Sequence, residues 1–294
     1  MTRSRKMASS SSKEVDHGNY VPTPVPSRGN GPGHPSGPGE VHPRSAAAEY
    51  RLSPADAPGR TDGVVFVDEG SVRKVYLMEG SVQSHGRKGR TGLPEMDRAF
   101  VVGAGAKLDI TVIVLPGCSA RIPITIDLTG EGAEVLLKGI YLCSGTDEVT
   151  FDIIMHHRAE GCTSRQLFNG LAAGSSQCAF FGKIIVAPEA QKTEAYQENH
   201  NIVLSDDASV NTKPRLEIYA DDVKCSHGAT VGKLNEDEQF YMRSRGIPED
   251  EAKVLQMISF VAPVLQGIDD RKLVLKIEKA VRSLARNKAE TEGS

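Results

Sequence analysis

Cys225-Ser226-His227 sets a thiol and an imidazole two positions apart. In an extended strand, residues at that spacing share a face and stand about 7 Å apart at their α-carbons. A soft sulfur and a ring nitrogen suit iron or zinc, but two donors are half of a four-ligand site. The same spacing also fits a buried Cys beside a hydrogen-bonded His. Two acid pairs, Asp206-Asp207 and Asp221-Asp222, close the apolar runs Ile202-Val203-Leu204 and Leu216–Tyr219. Paired carboxylates on a β scaffold can hold calcium or run acid–base cleavage of a polysaccharide. Asp is also an ordinary turn former whose side chain caps local backbone groups. His156-His157 offers two imidazoles on one strand, and alternation lets only one of them face a core.

These groups must be positioned by strands. From Thr61 to Leu234, short apolar runs alternate with polar residues, as in Val64–Val67, Ile110–Val114, Ile122–Ile126, Val135–Leu137, Val149–Ile153 and Lys183–Val186. Small or acidic turn residues separate them, at Gly117–Ser119, Gly132-Ala133, Thr146-Asp147, Gly161–Thr163, Gly174–Ser176, Pro188–Ala190, Asp206–Ala208 and Asp221-Asp222. The step is about 15 residues, longer than that of a typical antiparallel sandwich, which favours a solenoid whose units stack to bury their apolar faces. After Leu234 the period becomes helical. Asn235 reads as an N-cap with Glu236, Asp237 and Glu238 in the first turn, Phe240, Tyr241 and Met242 as apolar content and Gly246 as the stop. A second helix opens at Pro248 with the apolar set Ala252, Leu255, Ile258, Ala262 and Leu265, and Pro263 near its end. A third runs over 269–287 with Leu273, Leu275, Ile277, Val281 and Leu284. Such a helical unit can seal a solenoid's open end. The expected organisation is a disordered Pro/Gly/Ser-rich tail over 1–60, a β core over 61–234 and a helical subdomain over 235–294.

Composition narrows the function. The chain has 294 residues, a net charge of −3, no Trp and 5% aromatics. That balance gives no electrostatic case for nucleic acid or an anionic membrane, and no apolar run is long enough to span a bilayer. The low aromatic content suggests a narrow interior filled by Val, Ile, Leu, Ala and Cys rather than by large rings. Five widely spaced cysteines without an export signal fit free thiols in a reducing cytosol. Cys118, Cys143, Cys162 and Cys178 read as interior or corner residues. His17, His34 and His42 lie singly and widely spaced in the tail, a pattern that favours a disordered segment over a metal-binding one. No Walker motif, no HExxH and no nucleophile–base constellation occurs, so the chain is expected neither to bind ATP nor to be an enzyme.

The words LSDDA, TKPRLEIYADDVKCSHGATVG and FYMRSRGI closely resemble the SufB/SufD family of the SUF iron–sulfur cluster assembly system, as does GKIIVAPEAQKTEA upstream. The resemblance implies a right-handed parallel β-helix core with a C-terminal α-helical cap. It also implies a scaffold subunit that pairs through the end of its β-helix with a SufB-like chain, or with a second copy. It implies that Cys225 and His227 face that partner, with His227 as an iron ligand, and that no cluster is tightly bound by one chain alone; an Fe–S cluster or iron passes transiently through the interface. In this family the helices after the core dock the SufC-type ABC ATPase. That makes Glu236, Phe240, Tyr241, Arg245 and Leu255 candidate docking residues. Family members usually carry a folded helical region before the core, where this sequence reads as linker. Asn199 and Gly228 stand where the SufB branch has Cys and Glu, which puts the chain on the SufD side.

Overall fold

The structure is a computed structural model that describes residues 48–52, 64–79 and 98–291. Among the described residues, thirteen strands are followed by three helices. Every strand pairing is parallel, and odd and even strands form separate sheets, in the orders β1-β3-β5-β7-β9-β11-β13 and β12-β10-β8-β6-β4-β2. The chain therefore winds as a β-solenoid with two strands and two corners per coil. Glu134 pairs with Thr163 and Gln177 with Ser209, so one coil takes about 30 residues, twice the step of the turns. β1 (Ala48–Leu52) pairs with β3 (Val72–Glu79), so the strands begin inside the segment expected to be tail. The rest of that expected tail, including its three histidines, lies outside the described residues.

The core strands alternate cleanly. β6 (Ala120–Leu128), β8 (Glu148–His157) and β10 (Gln177–Val186) bury every second residue. Their inward rows stack Ile122, Phe151 and Phe180, and beside them Ile126 and Met155. The corners repeat as well. Gly132 adopts φ +67, a left-handed conformation that glycine takes at no steric cost, and donates its N–H to Glu160 O of the next coil at 3.0 Å. Asp147 pins the opposite corner by accepting from Ser144 N and Gly117 N.

The interior differs from the expectation of an aliphatic lumen. Tyr141, Phe151, Phe168 and Phe180 are fully buried and stack with centroids 4.9–5.3 Å apart between successive rings. Glycines on neighbouring strands make the room. A Cβ on Gly139 would lie 2.1 Å from Phe168 Cδ1, and one on Gly170 would lie 2.1 Å from Tyr141 Cε2.

The helices are placed differently from an end seal. α2 (Glu249–Leu265) and α3 (Arg271–Thr291) lie on the outer face of the odd sheet. There Met257, Val261 and Val264 of α2, and Leu273, Ile277 and Val281 of α3, cover Ile113, Ile140, Leu142 and Leu171. The physical reason is in β7 (Glu134–Cys143) and β9 (Thr163–Ala172), whose second halves are buried on both faces and apolar apart from Asn169. Asn169 Nδ2 donates to Phe260 O at 2.6 Å, and Lys74 Nζ reaches Gly267 O and Asp269 just past the end of α2. A cation at a helix C-terminus meets the negative end of its dipole. The buried face of α2 is Ala252, Val254, Met257, Val261 and Val264; of the expected apolar set Ala252 is buried, Ile258 and Leu265 pack partly against the cluster, and Leu255 is 38% exposed. Likewise Leu275 of α3 points outward. α1 (Glu236–Ser244) is capped by Asn235, which accepts from Asp237 N and Glu238 N, and buries no residue at all.

The aromatic stack yields a test. Gly139→Ala forces a methyl into the Phe168 ring and should cost about 1–3 kcal/mol, as overpacked cores do. Thermal denaturation should show a lowered melting temperature that Phe168→Leu in the same chain partly restores.

Candidate functional site

β13 (Val223–Gly232) is the last strand of the odd sheet and pairs only with β11 (Thr193–Val203). β12 (Ser209–Ile218) likewise closes the even sheet and pairs only with β10; Pro214 within it suits an edge strand. Both edges lie at one end of the solenoid, and the helices leave them uncovered. Ala195↔Cys225 and Gln197↔His227 are register partners. Ala195 and Gln197 are buried in the lumen, so Cys225 and His227 belong to the same inward row. In the terminal coil that row has nothing stacked above it. His227 is exposed, and Cys225 is half-buried against the core. The pair does share a face. Burial pushes the Cys225 thiol up, with a backbone hydrogen bond at Ala195 opposing it, so the site favours the protonated form.

Below this pair the lumen turns polar. Gln197 Nε2 donates to Gln166 Oε1 at 2.9 Å, and Ser164 Oγ lies 2.8 Å from His157 Nε2. All four residues are at most 2% exposed. Gln197 Oε1, Gln166 Nε2 and His157 Nδ1 have no hydrogen-bond partner among the described residues. Beside them, Asn199 Nδ2 donates to Tyr141 Oη at 3.0 Å, Tyr141 is also bonded to Asn201, and Asn201 Nδ2 donates to Asn199 Oδ1 and Thr230 O. This second network ties the edge strand to the core. Burial, reinforced by the neighbouring His156, lowers the His157 pKa to about 4, so His157 is neutral at physiological pH. His156 points outward to Asp127, 2.9 Å away, with Arg158 on the same carboxylate. Burial raises the Asp127 pKa, but the hydrogen bonds from His156 and Arg158 outweigh it and leave it below the usual value.

The other candidates separate. Asp206-Asp207 and Asp221-Asp222 occupy opposite corners, divided by the ten residues of β12, or about 33 Å of strand. Glycosidase carboxylates act about 5–10 Å apart, so the two pairs cannot work as one acid–base couple. Asp206 is moreover held by Lys233 at 2.9 Å. Cys143, Cys162 and Cys178 are buried and Cys118 packs against the core from a corner. No group of three or more His, Cys, Asp or Glu side chains among the described residues converges on a metal position. No helix among them is long and apolar enough to cross a membrane.

Two of the five docking candidates border a cleft of about 650 Å³ between the end of β11, α1, α2 and α3, while Tyr241, Arg245 and Leu255 lie outside it. Glu236 and Phe240 line it with Lys233, Arg243 and Lys253. Phe240 is 72% and Tyr241 59% exposed, and the Arg245 guanidinium lies 5.1 Å from the Tyr241 ring centroid. Gln166 and Gln197 are the residues the sequence did not reveal. The row of Gln197 reads Thr193, Ala195, Gln197, Asn199, Asn201, while the opposite face of β11 is also polar, so alternation there carries no phase; Gln166 stands on β9 between Ser164 and Phe168 of its inward row.

The architecture is that of an open-ended parallel β-solenoid with a thiol and an imidazole on its terminal strand. Residues 84–260 match the family described as SUF system FeS cluster assembly, SufBD core domain. The chain belongs to this SufBD family. It is 35% identical to the iron–sulfur cluster assembly protein SufD of Escherichia coli over 54% of its own length, and 41% identical to a SufBD family protein of Synechocystis over 45%. It is 33% identical to the chloroplastic protein ABCI7 of Arabidopsis thaliana over 62%. These alignments cover 38%, 29% and 38% of the relatives, so the chain spans well under half of each.

The buried imidazole sets a pH dependence. Its ordinary pKa is 6.5 and its folded value about 4, so the unfolded chain takes up a proton that folded His157 resists. Stability is therefore full above pH 6.5 and falls by up to about 3 kcal/mol as pH drops toward 4. Urea midpoints on either side of that window should diverge less in His157→Gln than in the parent chain.

Proposed function

We propose that this protein is a SufD-type scaffold subunit of iron–sulfur cluster assembly, and that its open solenoid end abuts a SufB-like chain or a second copy. The observation that carries the reading is the register of β13, which brings Cys225 and His227 to an unpaired sheet edge. The chain supplies two of the four donors a cluster or iron needs, and the abutting subunit supplies the rest. Iron and sulfide are cargo at that junction, held while the cluster forms and then released. The chain performs no chemistry of its own in this reading. The relatives' names support the assignment, since the E. coli protein is a cluster assembly protein. Cys143, Cys162, Cys178 and Cys225 form no disulfide among the described residues, which fits work in a reducing, cytoplasmic setting.

The second surface in this reading takes an ABC-type ATPase. α1 exposes Phe240 and Tyr241 while burying nothing of its own, with Arg245 over the Tyr241 ring, and Leu255 of α2 is a further exposed apolar side chain. Exposed aromatics with an arginine are the composition of a binding hot spot.

Two experiments test the two surfaces. In a complex reconstituted anaerobically with a SufB-like chain and an ATPase, His227→Ala should reduce iron and sulfide per complex about tenfold or more. Asp206→Ala should leave both unchanged; the reverse ranking, with a saccharide cleaved, would favour the polysaccharide enzyme instead. Phe240→Ala with Tyr241→Ala should weaken ATPase capture about tenfold or more without moving the melting temperature. A cooperative loss of fold in that variant would show that the aromatics are structural.

A further inference from the structure

We propose that Gln197 is a positioning residue for His227, its side-chain carbonyl accepting the ring N–H that faces the lumen, directly or through one water. The proposal rests on the reading of His227 as an iron ligand. Gln197 is the register partner of His227, one strand spacing below it, about 4.8 Å away in the same inward row. Its side chain is fully buried, and Oε1 has no partner among the described residues. A buried acceptor left unpaired costs about 1–3 kcal/mol. The amide is also fixed in place. Nε2 is committed to Gln166 Oε1 at 2.9 Å, and on the facing even strand a Cβ at Gly182 would lie 2.4 Å from Nε2, so only glycine there lets the amide lie across the lumen.

Metal-ligating imidazoles almost always donate their second ring N–H to a carbonyl, a carboxylate or water, which fixes the tautomer and the ring plane. Around β13 the candidates differ by face. Glu198 and Thr230 hydrogen-bond His200 on the outer side of the sheet. Within the lumen the acceptor stacked under His227 is Gln197. Gln166 in turn holds Gln197, so a two-amide column ends at the exposed imidazole.

The test uses the full chain labelled with ¹⁵N-histidine, with the His227 signals identified by their loss in His227→Ala. The parent chain should show one dominant His227 tautomer. Gln197→Met, which keeps the length of the side chain and removes the acceptor, should return His227 to the mixture of a free imidazole. In the reconstituted complex, the same variant should weaken iron(II) binding about 10–100-fold. A tautomer mixture already present in the parent chain overturns the proposal even if Gln197→Met does not fold. So does a folded Gln197→Met chain with an unchanged spectrum. If the spectrum shifts as expected but His227→Ala binds iron(II) like the parent, the positioning role stands and the iron-ligand reading fails.

Discussion

Each inward side chain of this solenoid rests on the side chain one coil below it, and that stacking depends on a parallel register held over many coils. Ile110, Leu137, Gln166, Gln197 and His227 form one such column across five strands of the odd sheet. Ring, aliphatic and amide layers are buried because another layer covers them. At β13 the covering layer is absent, and the row that is core elsewhere becomes surface. The same termination leaves two strands of ten residues each with an unpaired edge. Long unprotected edges template pairing with another chain, and soluble proteins usually blunt them. Here they stay open on the side that carries the thiol and the imidazole.

That the end stays open follows from where the helices find their apolar complement. The outer faces of β7 and β9 offer Ile140, Leu142 and Leu171, and an amphipathic pair gains more by covering that patch than by lying across an edge where backbone groups need hydrogen bonds. Lys138, 5% exposed beneath the helices, sits 3.4 Å from Asp109 and bonds the Gln266 carbonyl, so the end of α2 is anchored to the sheet by charge as well as by packing. α1 is left as a projection whose aromatics face solvent. One packing decision thus frees two surfaces.

Much of this was legible in the sequence. The apolar runs and the turn step located strands and corners, and the two-residue spacing put Cys225 and His227 on one face. His156 and His157 divided between outside and inside as strand alternation requires. What was not legible depends on partners about 30 residues away. Phe168 fits the lumen because Gly139 sits one coil below it, a pairing that no local window contains. Leu255 looked like a core residue because α2 is apolar on more than one side, and only the sheet beneath it picks the face. The run Leu136–Cys143 abandons alternation, which was the available sign that helices would cover the sheet there. Gln197 was invisible because β11 is polar on both faces, and Gln166 because its lumen position is set by partners a coil away from β9.

The polar lumen is costly in itself. The inward rows of the first odd strands are aliphatic, with Leu108, Ile110, Val112 and Leu137 fully buried. Toward the open end the rows carry Gln166, Gln197, Asn199 and Asn201, and orphaned polar atoms appear at His157, Gln166, Gln197 and Thr212. Aliphatic side chains of similar volume would fill the same layers without any unpaired group, so stability alone does not account for this gradient. Departures from local folding rules are expected where function sets the residue, and these lie in the last coils before the open end. The Asn199–Tyr141–Asn201 network fits the same logic, because its last hydrogen bond ends on the Thr230 carbonyl of the edge strand. A rigid, fully bonded column holds the backbone of β13 in place, while the partly bonded column beside it keeps one acceptor available beneath the imidazole.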